Sequence, residues 1–227
     1  MSLPSRLLSV VSTLERLYGK PAAFPSTDPW ELILRENASY LVDDARREEI
    51  FRSLKARVGV TPEAILEAPD EQLIAAIREG GMRPPMRAEK LRLASEIALE
   101  VGLVRLRALA KEGGADGRKV LKRFPGIGEP GADKLFLAAG SAVTLAPDSN
   151  GLRVLVRLGF LKDDANYARA YRAAAEAVAQ DLPNDTAWLV AAHQLLRKHG
   201  QETCRRSDSR CDVFPLAKGC DYAESRP

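Results

Sequence analysis

Asp148 stands where the sequence predicts the cap of a helix, and a carboxylate in that position can stabilise a nearby positive charge. It follows Ala146-Pro147 and precedes a segment, 152–158, in which apolar and basic residues recur at helical spacing. Backbone N–H groups and the helix dipole stabilise a negative side chain at the start of a helix. Taken alone, Asp148 also fits a purely structural helix cap. Whether it has a chemical role must be judged from the motifs around it.

A tight turn precedes this aspartate. It joins a helix ending at Phe124 to a second helix from about Glu129 to Ala139, and it reads Pro125-Gly126-Ile127-Gly128. Glycines permit backbone turns that a side chain would block. Two helices on so short a link must lie against each other. The first N–H groups of the second helix have no helical partner, so they form a site suited to a phosphate.

The turn and the later capping aspartate, followed by Arg153-Val154-Leu155-Val156-Arg157, resemble the helix-hairpin-helix DNA glycosylases of the endonuclease III superfamily. The resemblance implies an all-α fold in which two helical domains flank a DNA cleft. A six-helix barrel would span 26–143 and contain the hairpin at about 117–139. Segments 1–25 and 144–227 would form the second helical domain. DNA would be held by the turn and the helix after it, through Pro125, Gly126, Ile127, Gly128 and Gly131.

Composition agrees with such a protein without identifying it. The 227 residues are 45% hydrophobic and 29% charged, with a net charge of +3, which permits nucleic-acid binding but does not diagnose it. No alternating strand pattern occurs, which independently favours an all-α fold. No apolar run is long enough to span a membrane. The amphipathic start lacks a signal-peptide cleavage pattern, so we expect a cytoplasmic protein, and we expect a monomer.

The resemblance implies hydrolysis of the N-glycosidic bond of a damaged or mispaired base in double-stranded DNA, as in base excision repair. The nucleotide must leave the base stack and enter a pocket. Breaking the bond gives the sugar oxocarbenium character, which a nearby carboxylate stabilises. By resemblance, Asp148 is that catalytic carboxylate. No cofactor is needed for this reaction.

Strand cleavage is a separate question. Members of the superfamily that also nick DNA carry a lysine two residues after the last glycine of the turn, and it forms a Schiff base with the sugar. That position is Pro130 here, which we place in the base pocket. Lys134 lies one turn further, about 6 Å deeper along the helix, and we expect it to face solvent or a phosphate. The sequence therefore predicts a monofunctional glycosylase.

A second acidic residue, Glu36, lies on a predicted helix from Trp30 to Leu41. Aligned from Asp28-Pro29, it falls where mismatch adenine glycosylases of the superfamily keep the glutamate that protonates the base. The alternative is an exposed helix carboxylate among neighbouring arginines. Tyr40, one turn later, either stacks on the extruded base or packs in the barrel, and packing is the favoured interpretation.

The three cysteines all follow residue 200, which argues against a disulfide scaffold. Cys204-x6-Cys211-x8-Cys220 resembles the superfamily's iron–sulfur loop, C-x6-C-x2-C-x5-C, with Phe214 at the third ligand position. Because such clusters normally take four thiolates, we expect a degenerate loop over 204–220 without a stable cluster. A three-cysteine cluster, or a zinc site completed by His199 or Asp212, is the alternative.

Two other functions remain as alternatives at this stage. One is an endonuclease III-like glycosylase that also cleaves the strand through Lys134 or the amino terminus of the chain. The other is a DNA-binding module that has kept the hairpin without the chemistry. Asp148 distinguishes this last alternative, because a module that only binds DNA does not need a carboxylate at that position.

Overall fold

The computed structural model describes residues 6–225 and confirms the all-α fold. Within that range the chain forms thirteen α-helices and no β-strand; the one extended contact is an isolated bridge between Tyr40 and Gly81. The chain divides into two compact units. The central unit is Pro25–Ser141. The terminal unit combines the described residues up to Phe24 with those from Ala142 onward.

The central unit begins with side-chain caps. Asp28, Asp43 and Thr61 each accept a hydrogen bond from a backbone N–H in the first turn of the helix that follows. Proline then occupies the first position of two of these helices, at Pro29 and at Pro62, where its missing N–H costs nothing. The first helix of the chain, α1 (Arg6–Tyr18), belongs to the terminal unit. The helices of the central unit are α2 (Pro29–Ala38), α3 (Asp44–Arg57), α4 (Pro62–Glu67), α5 (Asp70–Ile77), α6 (Pro84–Val101), α7 (Leu103–Glu112), α8 (Gly114–Leu121) and α9 (Glu129–Ala139).

The end of α2 differs from the sequence prediction. The helix stops at Ala38 instead of Leu41, and Ser39 is its C-cap. Tyr40 donates its backbone N–H to Gly80 O at 2.7 Å, which draws this segment away from the helix. Leu41 adopts a positive φ of 56° and is 72% exposed. The predicted extension of this helix to Leu41 is therefore wrong.

The terminal unit is built from helices at both ends of the chain. They are α1 (Arg6–Tyr18), α10 (Ser149–Arg157), α11 (Tyr167–Val178), α12 (Thr186–Glu202) and the short α13 (Asp221–Glu224). Their apolar faces share one core, whose fully buried members include Leu7, Leu14, Leu155, Leu195 and Leu196. This core fixes the start of α10, which Asp148 caps, against α12.

Among the described residues, no helix combines the length and the apolar character that crossing a bilayer requires.

Candidate active site

The helix hairpin forms between α8 and α9. The first helix ends at Leu121, three residues before the predicted end at Phe124, and a turn completes the connection. Phe124 and Ile127 are buried and anchor the turn in the core. The Ile127 N–H donates to Phe124 O at 3.1 Å, so it is engaged within the turn. Ile127 therefore has a packing role, and the open donors for a ligand lie further along.

The two glycines of the turn have different structural roles. Gly126 has a φ of +79°, a conformation that side-chain-bearing residues rarely adopt. Gly128 has an ordinary φ of −95°, and an added Cβ would meet only Pro130 Cδ, at 3.9 Å. The prediction that the turn needs both glycines is thus correct for Gly126 and wrong for Gly128. The open space at Gly128 suits close approach of a phosphate to the backbone.

Helix α9 starts at Glu129, with Pro130 in its first turn as predicted. Gly128 is its N-cap, and among the described residues no side chain caps its N-terminal N–H groups. A Cβ at Gly131 would lie 3.3 Å from Ile127 Cγ2, so Gly131 allows the helix to close tightly on the turn. In proteins generally, uncapped N–H groups at the start of a helix are suited to binding a phosphate.

The carboxylate of Glu129, at the start of α9, is paired with neighbouring cations. Glu129 pairs with Lys122 and, at 3.0 Å, with Arg118. The hydrogen bond from Lys122 lowers the pKa of the Glu129 carboxyl, with Arg118 contributing further. Arg118 also pairs with Asp133 at 2.6 Å. These cations offset negative charge that would otherwise oppose a phosphate at this helix end.

We expect Gly128→Ala to weaken DNA binding without destabilising the fold. The methyl group enters space where a phosphate would approach, and losing one such hydrogen bond corresponds to about 1 kcal/mol, or roughly fivefold in affinity. Damaged and undamaged duplexes should be affected alike, because phosphate contacts carry no base information. Fluorescence anisotropy with both duplexes measures this.

Gly126→Ala is the comparison for the effect on stability. It forces alanine into a positive φ, so it should lower the free energy of unfolding by about 1–2 kcal/mol. A loss of affinity confined to lesion DNA in Gly128→Ala would place this glycine in the base pocket and contradict its assignment.

Asn37 ties the hairpin turn to α2. Its buried side-chain amide donates to Pro125 O and to Ile33 O, both at 2.9 Å. A Cβ on Gly126 would lie 3.4 Å from Asn37 Oδ1, so the glycine also permits this contact. The signal in the sequence is an asparagine on the apolar side of α2, where a buried amide needs hydrogen-bond partners.

Glu36 neighbours the same turn. Lys134 Nζ lies 3.0 Å from Glu36 Oε2, and an Arg47 nitrogen lies 3.8 Å from that oxygen. The Cβ position of Gly126 is 3.9 Å from Glu36 Cγ, which places the pair beside the hairpin. Lys134 therefore contacts Glu36, whereas the sequence predicted solvent or a phosphate. Together the two side chains offer a hydrogen-bond acceptor and a donor next to the turn.

Tyr40 does not pack in the core, because it is 54% exposed. The favoured sequence interpretation of Tyr40 is wrong, and stacking on an extruded base stays a prediction. Its neighbour Leu41 and Met82, which is also exposed, lie on segments joined by the Tyr40–Gly81 bridge. This exposed apolar group, Tyr40, Leu41 and Met82, differs from the sequence prediction, in which α2 continues to Leu41.

Asp148 caps α10 as predicted. Its Oδ1 accepts the backbone N–H groups of Asn150, at 2.9 Å, and Gly151, at 2.8 Å. Its Oδ2 lies 3.2 Å from Arg197 Nε on α12. Asp148 belongs to the terminal unit and the hairpin to the central unit, and its catalytic role stays a prediction.

The cysteine-containing loop surrounds a small cavity. Cys204, Cys211 and Cys220 form no disulfide bond within the described residues, and they line this cavity with His199 and Phe214. Phe214 is only 7% exposed, and its ring centroid lies 4.1 Å from that of His199. The cavity volume that the centre of a water molecule can occupy is about 10 Å³. The cavity can therefore hold about one water molecule.

The residues present do not fit a four-thiolate iron–sulfur cluster. A buried phenyl ring occupies the third ligand position, and within 6–225 no three His, Cys, Asp or Glu side chains are grouped to hold a metal. A zinc site completed by His199 or Asp212 meets the same obstacle, because no such group of three side chains is formed in the described part of the chain. His199 Nδ1 lies 2.9 Å from the Tyr18 hydroxyl. Burial lowers the pKa of His199 to about 4, so the ring is neutral at pH 7. The ring serves the packing of the loop.

Comparison with known proteins gives relatives of one kind. No protein-family model matches the chain. Endonuclease III of Rickettsia conorii is 32% identical over 106 residues, a match covering 46% of this chain and 46% of that protein. Endonuclease III of Thermotoga maritima is 26% identical over 208 residues, which cover 91% of this chain and 89% of that protein. The first match thus spans about half of its relative, and the second nearly all of it.

Solved structures show the same fold. A non-covalent endonuclease III–DNA complex superposes with a TM-score of 0.77 at 18% identity, covering 99% of this chain and 98% of the other. A thermostable thymine-DNA glycosylase gives a TM-score of 0.73 at 18% identity, with 97% of each chain covered. At such low identity the superposition establishes the fold alone.

Proposed function

Because the chain is an endonuclease III-like member of the helix-hairpin-helix glycosylase superfamily, we propose that it is a monofunctional DNA glycosylase of base excision repair. Its substrate is a damaged or mispaired base in double-stranded DNA. The proposal rests on the position of Asp148, whose carboxylate caps α10. Asp148 follows the hairpin in the chain, as in the superfamily, and the N-cap residue of the second hairpin helix, Gly128, makes no side-chain capping bond.

Three parts of the protein have separate roles in the proposed reaction: the hairpin, Asp148 and Glu36. The hairpin holds the phosphodiester backbone through N–H groups at the start of α9. The electron pair of the N-glycosidic bond leaves with the base, which takes up a proton, while Asp148 stabilises the positive sugar. Water then adds to the sugar carbon and loses a proton. Lys134 holds the Glu36 carboxylate beside the turn. Glu36 is the candidate donor to the base, and to act so it must first take up a proton from solvent, which releases the ion pair with Lys134.

Monofunctional chemistry is supported by the two positions from which an amine would attack. Pro130, at the position of the superfamily's lyase lysine, has no amine. The ammonium group of Lys134 is held 3.0 Å from Glu36 Oε2, so its use as a nucleophile would require that ion pair to break. Schiff-base formation through Lys134 is the second candidate activity, because this amine does lie beside the hairpin.

Borohydride trapping tests this choice. Wild-type protein incubated with lesion duplex and borohydride should give no covalent adduct, because no Schiff base forms. Pro130→Lys, which returns the amine to the superfamily position, should gain weak trapping. Efficient trapping by the wild type would contradict the monofunctional assignment, and its loss in Lys134→Ala would identify the nucleophile.

We further propose that base release requires no metal cluster. Purified protein should contain well below one iron per chain, because Phe214 fills the position of a ligand. Phe214→Cys supplies a fourth thiol and should raise the iron content. About four irons per wild-type chain, with a visible charge-transfer band, would contradict the proposal.

A further inference from the structure

The carboxylate of Asp148 is surrounded by donors on both oxygens. Beside the two backbone N–H groups on Oδ1, the side-chain amide of Asn150 donates to Oδ2 at 3.2 Å, and Arg197 Nε lies 3.2 Å from Oδ2. A carboxylate has about four acceptor sites. Four donor groups therefore lie within 3.2 Å of this carboxylate, which fixes the rotation of its two oxygens.

Close packing of two helices brings Arg197 to this carboxylate. A Cβ on Gly200 would lie 2.6 Å from Asn150 O, and a Cβ on Gly151 would lie 3.5 Å from Leu196 Cβ. The two glycines thus let α12 approach the first turn of α10. Arg197 lies next to Leu196 and one turn before Gly200, so its guanidinium group reaches the cap of α10. Tertiary packing sets this contact, since the two residues are far apart in sequence.

The other donor to Oδ2 is itself fixed. Arg153 donates to Asn150 Oδ1 at 2.9 Å and to Gly200 O at 2.6 Å, and its Nε donates to Cys204 O at 2.9 Å. Asn150 is therefore held with its amide nitrogen toward Asp148. The backbone fixes Oδ1, while Oδ2 is oriented by Arg197 directly and by Arg153 through Asn150.

We propose that Arg197 is a positioning residue for the glycosylase reaction, holding Asp148 Oδ2 in the orientation that presents its charge to the sugar. The inference rests on the proposed function of Asp148. Electrostatic stabilisation needs the charge fixed before the reaction, and small displacements of a reacting group can cost up to a hundredfold in rate. With its acceptor sites occupied, Asp148 acts through its charge and not by removing a proton from water.

The test compares Arg197→Gln, Arg197→Lys and wild type on lesion duplexes under single-turnover conditions. Arg197→Gln should slow base release about tenfold or more, while the Kd for the lesion duplex stays within twofold. Arg197→Lys should recover part of the rate, because its ammonium group can still donate to Oδ2. Lys198→Gln removes a neighbouring charge on α12 and should behave as wild type. Thermal unfolding of each variant accompanies the kinetics.

The outcomes separate this inference from the function on which it depends. An unchanged or faster base release in Arg197→Gln would overturn the positioning role and leave the glycosylase assignment intact. Rate, affinity and melting temperature falling together, without recovery in Arg197→Lys, would make Arg197 structural and also overturn it. Absence of base release by the wild type would overturn both.

Discussion

Asp148→Asn should reduce the rate of base release by about 10²–10³-fold while leaving affinity for lesion DNA nearly unchanged. The size follows from what removal of one preorganised electrostatic group costs other enzymes. The amide oxygen can still accept the N–H groups of Asn150 and Gly151, so the cap is retained in part. What disappears is the negative charge. Single-turnover base release and duplex affinity, measured on the same preparation, separate the two effects.

The chain offers a matched control in Asp185, which caps α12 in the same way. Its carboxylate accepts the N–H groups of Ala187, at 2.9 Å, and Trp188, at 3.1 Å. Asp185→Asn should lower stability to a similar extent and leave base release unchanged. If Asp148→Asn lost binding and activity together, or if both variants lost activity equally, Asp148 would be a structural cap only.

Arg87→Met should give the largest loss of stability, about 3–5 kcal/mol. Arg87 is 4% exposed, and its guanidinium group donates to five backbone carbonyls, of Ala38, Ile77, Arg78, Gly81 and Met82. Methionine keeps most of the volume but leaves several buried acceptors without their donor, at about 1–3 kcal/mol each. A shift in the urea midpoint measures the effect.

Arg92→Met, on the same helix α6, is the comparison for this substitution. Arg92 also donates to backbone carbonyls, those of Ile65, Leu66 and Ala68, but its side chain is partly exposed. Water can replace its hydrogen bonds, so we expect a loss of about 1 kcal/mol. Equal losses of unfolding free energy in the two variants would contradict the expectation that the buried hydrogen bonds of Arg87 contribute more to stability than those of Arg92.

Local signals made the caps and the hairpin predictable. Asp148 caps α10 and Pro130 lies in the first turn of α9, because both features depend on neighbouring residues alone. The end of α2 was not predictable in this way. Helical spacing continues to Leu41, but the chain leaves the helix at Ser39 because Tyr40 pairs with Gly80 and Gly81.

The ion pairs of the site could not be predicted from sequence either, because they too depend on tertiary contacts. Lys134 and Glu36 lie on helices separated by most of the central unit, and Arg197 reaches Asp148 from α12. Arg87 lies on an amphipathic helix, where sequence favours solvent for an arginine, yet backbone carbonyls from two segments enclose it. Sequence identifies which groups have suitable chemistry, whereas packing determines which of them meet.

Monofunctional base removal is tested most directly with a panel of duplexes, each with one damaged or mispaired base and one labelled strand. Half of each reaction is heated in alkali, and both halves are resolved on a denaturing gel. We expect at least one duplex to yield a cleaved strand only after alkali, which indicates an intact abasic site. Cleavage without alkali would contradict the monofunctional assignment, and binding without base release from any duplex would indicate a DNA-binding module.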